Sequence, residues 1–201
     1  MYWALTGCLS LASAGAGPHA LALASRHPDR VTALTVMVGA APLLPEERGA
    51  LLGVNRPGFE AAQQGWDALY GYLEQMRERT LSGGGGRALL GDAPAKDRKV
   101  VDDPIWQRID RANTAEALPQ GAEGWADETL ALLGTWDFWP ADVQTSVTWW
   151  HGADDANAPL FAAERVLAWL PKGRLHVWHD QGHFAAIKSR GASNPGTAHP
   201  D

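Results

Sequence analysis

Residues 2–11 and 31–38 are two apolar runs, and the stretch between them has room for one short helix and its turns. No other feature restricts the fold as much. Two strands joined through a helix lie parallel, whereas antiparallel neighbours need only a hairpin. Residues 31–38 read Val-Thr-Ala-Leu-Thr-Val-Met-Val, apolar and β-branched, and predict a buried strand. Residues 2–11 predict another. Residues 13–17 are small enough for a turn, and Pro18 suits the first turn of a helix, where its missing N–H costs nothing. Residues 19–27 then predict that helix, packed through Leu21 and Leu23 and ended by Pro28.

The pattern changes after residue 41. Over 42–140 the apolar positions fall at helical spacing, as at Trp66, Leu69, Leu73 and Met76, and no stretch reads as a strand. A glycine run at 82–86 lacks the Lys-Ser/Thr ending of a phosphate loop and reads as a hinge between helices. The strand–helix–strand pattern then returns, with strands at 146–150 and 174–178 around a helix at 160–170. The expected organisation is an α/β core from 1–41 and 141–188, a helical insertion over 42–140, and a disordered tail at 189–201.

Composition narrows the function. The chain has 201 residues, 45% hydrophobic and 20% charged, which suits a globular protein with a substantial core. Its formal net charge is -6 and no basic block occurs, so nucleic acid is not an expected partner. One cysteine, Cys8, excludes an internal disulfide. Leu5-Thr6-Gly7-Cys8 and Ala12-Ser13-Ala14 have the look of processing boxes. A secretory signal needs a positive n-region, however, and the first basic side chain charged at neutral pH is Arg26. No uncharged apolar stretch reaches the roughly 18 residues that span a membrane. A cytoplasmic protein without a cofactor is expected.

Chemistry concentrates where strands run into loops. The first such loop is Ala12-Ser13-Ala14-Gly15-Ala16-Gly17, the second runs from His151-Gly152-Ala153-Asp154-Asp155 to Pro159, and the third is Asp180-Gln181-Gly182-His183-Phe184. In open parallel sheets the ligand crevice lies at these carboxyl ends. A nucleophile, an acid and a histidine appear there in the order Ser, Asp, His.

Three stretches together carry a family resemblance. They are Gly15-Ala16-Gly17-Pro18-His19-Ala20-Leu21-Ala22-Leu23-Ala24 with His27-Pro28-Asp29-Arg30-Val31, then His151-Gly152-Ala153-Asp154-Asp155 with Pro159, then Gly182-His183-Phe184. From residue 5 to about residue 187 the chain resembles a capped α/β-hydrolase of the esterase and peptidase-like type, with residues 42–140 as the helical cap. The resemblance implies a partial α/β-hydrolase fold, a triad of Ser13, Asp155 and His183, and an oxyanion-binding elbow at Ala14 and Gly15. It implies hydrolysis of a small ester or amide, since an aspartate nucleophile is absent from the elbow. Trp125, Trp136 and Trp139 are candidates for an acyl pocket under the cap.

Two departures qualify it. The family places its serine six residues before the Ala-Leu pair of the following helix, and counting back from Ala20-Leu21 reaches Ala14. The expectation is therefore that Ala14 occupies the apex while Ser13 points aside. The family also has about four further strands and a first helix ahead of the elbow, so this chain corresponds to its C-terminal part. The first strand would then present an open edge, which invites self-association.

Other readings compete. Gly15-Ala16-Gly17-Pro18-His19-Ala20 fits a dinucleotide-binding fingerprint, but the acid expected at the end of the next strand is missing, the first being Glu46. An inactive remnant or binding module is the rival outside enzymes. Asp155 can also be read as a turn residue and N-cap for the helix that follows, with Asp154 solvated. His176, His179 and His183 imitate metal-ligand spacing, but an odd separation sends His176 and His179 to opposite faces of a strand. No metal site is expected.

Overall fold

The computed structural model describes residues 8–51, 55–83 and 93–191. In chain order its elements are β1 (Cys8–Ser13), α1 (Ala16–Arg26), β2 (Val31–Met37), a 3₁₀ turn at Pro45–Ala50, α2 (Asn55–Gln64) and α3 (Trp66–Leu81), followed by α4 (Ala95–Val101), α5 (Pro104–Ala117) and α6 (Glu123–Leu133). A 3₁₀ turn at Pro140–Asp142 then leads to β3 (Ser146–Gly152), α7 (Leu160–Leu167), β4 (Gly173–Trp178) and α8 (His183–Gly191). The chain divides into two compact units, Met1–Ala41 with Trp136–Asp201, and Pro42–Thr135.

In the first unit the four strands form one sheet in the order β1-β2-β3-β4, every pair parallel. All three crossovers leave the carboxyl ends of the strands along one edge. Register aligns Ala12 with Val36 and Val36 with Trp149, so these three side chains form one row on the buried face. Leu21 and Ala24 of α1 and Ala163 and Val166 of α7 pack with Leu34, Val36, Val147 and Trp149 into a single core, joined by Trp136 and Phe138. Burying the Trp149 indole completely contributes roughly 4–6 kcal/mol at about 25 cal/mol per Å².

Several expectations change at the ends of elements. β1 runs on to Ser13, and α1 begins at Ala16, so the turn is shorter than expected. Leu23 is exposed, and α1 faces the core through Leu21 and Ala24, three residues apart on one helical face. Leu9 and Leu11 are 82% and 70% exposed rather than buried, because no described element covers the face that carries them. The helix after β3 stops at Leu167, and α8 extends to Gly191, so residues 189–191 are helical. Residues 192–201, most of the glycine run, and residues 2–7 of the expected first strand lie outside the described residues.

The described residues of the second unit contain no strand. Its core gathers Ala61, Leu69, Leu73, Ala122 and Ala126, with Tyr70, Tyr72 and Trp125 packed against it. Glu74 on α3 accepts from the Ala122 N–H at 2.8 Å, and Arg77 donates to the Leu118 carbonyl at 2.7 Å, tying α3 to the turn between α5 and α6.

Candidate active site

The passage from β1 to α1 leaves two residues, Ala14 and Gly15, to reverse the chain. Ala14 does so in the left-handed region, with φ 48°. An L-residue adopts that conformation at a cost of roughly 1–2 kcal/mol, so the surroundings must impose it. They do so through its peptide groups. The Ala14 N–H donates to the Met37 carbonyl at 3.1 Å, and the Ala14 carbonyl accepts from Ala40 at 2.9 Å and Gly17 at 3.1 Å. Gly17 makes the close approach possible, since a Cβ there would sit 3.2 Å from the Gly39 Cα and from Val36 Cγ1. Ser13 is the last residue of β1 and is exposed. Strand alternation sets its side chain on the opposite face from buried Ala12.

Asp155 stands in the loop after β3 with a fully buried side chain. Its Oδ1 accepts from the N–H groups of Asn157 at 2.9 Å and Ala158 at 2.8 Å. This leaves Oδ2 directed at His183, whose Nδ1 lies 2.8 Å away. His183 is buried and is the first residue of α8. Oδ2 accepts the Nδ1 proton. The N-cap position of α7 belongs to Pro159, so Asp155 closes its own turn and does not cap that helix.

The two loops meet because their backbones are pinned to one another. Ala153 donates to the Trp178 carbonyl at 3.0 Å and Asp154 to the Gln181 carbonyl at 2.9 Å. Gly152 is required at the closest point. A Cβ there would lie 2.4 Å from the Gln181 oxygen and 2.7 Å from the Gly182 oxygen.

By sequence pattern His151 falls in the loop after the third strand and carries no role. The structure places it in β3, completely buried. Its Nδ1 accepts the Trp149 indole N–H at 3.0 Å, and its Nε2 lies 2.6 Å from the Ala158 carbonyl and 3.6 Å from Asp155 Oδ2. Burial pushes its pKa below the ordinary 6.5, against the pull of Asp155 and the Ala158 carbonyl. The signal was the period-two alternation that sends Trp149 and His151 to the same buried face.

The remaining named residues lie elsewhere. Trp125 packs against the core of the second unit. Trp136 stacks on Phe138 at 5.1 Å against the sheet core, and Trp139 is 66% exposed and stacks on Trp169 at 6.0 Å. His176 stacks on Trp150 at 4.1 Å, and His179 lies beyond the end of β4. Asp154 is exposed. Among the described residues, no group of three or more His, Cys, Asp or Glu side chains could hold a metal ion.

The chain is similar in sequence to known hydrolases. The chain is 29% identical over 180 residues to a 2-hydroxymuconate semialdehyde hydrolase of Pseudomonas sp. (strain CF600), an alignment that covers 86% of this chain and 54% of the relative. It is 31% identical over 173 residues to a pimeloyl-(acyl-carrier protein) methyl ester esterase of Aromatoleum aromaticum (strain DSM 19018 / LMG 30748 / EbN1), covering 82% of this chain and 62% of the relative. The chain thus spans little more than half the length of the curated relatives it matches. Among solved structures, an alpha/beta hydrolase fold protein from Nakamurella multipartita superimposes with a TM-score of 0.54 at 17% identity, over 93% of this chain and 68% of that one. No protein-family model matches the chain.

Proposed function

Because this chain has the α/β-hydrolase fold, we propose that it carries the acid–base half of a serine-hydrolase active site for the acyl group of a small ester or amide. The observation that carries this reading is the buried 2.8 Å contact between His183 Nδ1 and Asp155 Oδ2 at the carboxyl edge of a parallel sheet. In the reaction His183 Nε2 takes the nucleophile's proton as the oxygen attacks the acyl carbon, then returns it to the leaving group. Asp155 fixes the imidazole tautomer and stabilises the imidazolium. The N–H of Gly15, next after the apex, is the proposed oxyanion donor. Apex geometry belongs to Ala14, so the chain as it stands is a weak catalyst, with Ser13 beside the reacting position and not at it. The methyl ester in one relative's name supports an ester as the class of bond cleaved.

A second reading, a catalytically silent binding module on the same fold, is favoured by one observation: an alanine holds the strained turn position. Hydrolysis of a small activated ester separates the two. The hydrolase reading expects slow turnover that His183→Ala removes. Turnover unchanged by His183→Ala and by Asp155→Ala would leave only the binding module. Among the described residues, no helix is long and apolar enough to cross a membrane. Among the described residues β1 pairs with β2 alone, and with Leu9 and Leu11 exposed this supports self-association as a further proposal.

A further inference from the structure

We propose that the buried pair Trp149–His151 is a positioning element for Asp155, reserving its carboxylate for His183. An indole can only donate, so Trp149 occupies the lone pair of His151 Nδ1 at 3.0 Å and fixes the ring proton on Nε2. That Nε2–H donates to the Ala158 carbonyl at 2.6 Å. Ala158 in turn gives its own N–H to Asp155 Oδ1 at 2.8 Å. A single residue therefore links His151 to the carboxylate, and the link keeps the 155–158 turn closed with Oδ2 facing His183. His151 Nε2 also lies 3.6 Å from that same Oδ2, where the neutral ring adds no charge.

Neutrality is the point of the arrangement. A second imidazolium at that distance would compete with His183 for one oxygen. Protonating Nδ1 would require giving up the Trp149 hydrogen bond inside a buried core, where an unpaired donor is costly. The titratable groups whose charges act on His151 are Asp155, His183 and Glu164, and burial outweighs them in holding the ring uncharged. The inference rests on reading Asp155 and His183 as an acid–base pair, but not on turnover by this chain.

The test is a long-range ¹H–¹⁵N correlation spectrum of the histidine rings in the intact protein, from pH 8 to pH 5. Expected are a His151 ring that stays neutral with its proton on Nε2, and a resolved downfield resonance from the His183 Nδ1–H. Trp149→Phe keeps an aromatic ring and deletes the donor. In that variant the His151 proton should spread over both nitrogens, the ring should begin to titrate, and the His183 resonance should shift or broaden. An unchanged spectrum overturns the proposal. If Trp149→Phe does not fold, the unmodified protein decides alone, since a charged His151 or a proton on Nδ1 overturns it. A wrong His151 tautomer beside an intact His183 resonance sinks the positioning role only. A missing His183 resonance in the unmodified protein sinks the acid–base pair and the positioning role together.

Discussion

Position 14 presents a methyl group at the one point of the β1–α1 turn where the backbone is forced left-handed and a side chain is lifted off the strand. Moving one residue along so tight a turn redirects the side chain, so Ser13 cannot substitute for a serine at 14 without a change in backbone. Labelling by a serine-reactive phosphonate should therefore be low in the unmodified chain and insensitive to Ser13→Ala. Ala14→Ser should increase it. A nucleophile and its histidine act as one unit worth on the order of 10⁶ in rate, so a gain below about tenfold would mean that the apex does not face His183. Rapid stoichiometric labelling at Ser13 would instead make that residue the nucleophile. A second prediction at this scale concerns Gly152. Its Cβ would meet two backbone oxygens of the loop before His183, and backbone cannot yield as a flexible side chain does. Gly152→Ala should destabilise by about 1–3 kcal/mol, as overpacking does, read from the urea midpoint. A midpoint within error of the unmodified protein would show that the two loops are not tightly apposed.

Elements decide what individual residues cannot. β3 supplies Trp149, His151 and the approach to Asp155, while β4 hands its chain to the loop that ends in His183. The pairing of Gly152 with Trp178 brings Asp155 and His183, 28 apart in sequence, into contact. β1 has the opposite character. Among the described residues its one partner is β2, which leaves its other edge unpaired there, and Leu9 and Leu11 stand exposed. Such edges template pairing with another chain, and charges at the edge are a common protection. Light scattering of the purified chain should show association that grows with concentration, and Leu9→Lys with Leu11→Lys should reduce it. A clean monomer at high concentration without those substitutions would count against the open edge.

For the molecule as a whole, the buried His151 links acid chemistry to stability. Its pKa is lowered in the folded state, so below the unfolded value of 6.5 the unfolded chain binds the extra proton first. Stability is then fully present above about pH 6.5 and falls as pH drops toward the folded value, by about 1.4 kcal/mol for each unit of difference. Denaturant midpoints at pH 7.5 and pH 5.5 should fall further for the unmodified protein than for His151→Phe. Equal falls would mean that the histidine is not held neutral. Much of this molecule could be read from one dimension. The parallel sheet, the helical character of the described residues between its halves and the loops that hold Asp155 and His183 were legible, because hydrophobic period, Gly-Pro punctuation and strand-to-loop passages are local properties of the chain. Burial of β1 was misread, because burial depends on which elements cover a face and not on how apolar the strand is. The contacts of His151 were illegible for a related reason. It requires a carbonyl seven residues on to fold back onto the ring and an indole two residues earlier to donate into it. Those contacts, like the 2.8 Å approach of His183 to Asp155, exist only once strand register and a side-chain-free Gly152 have brought distant peptides together.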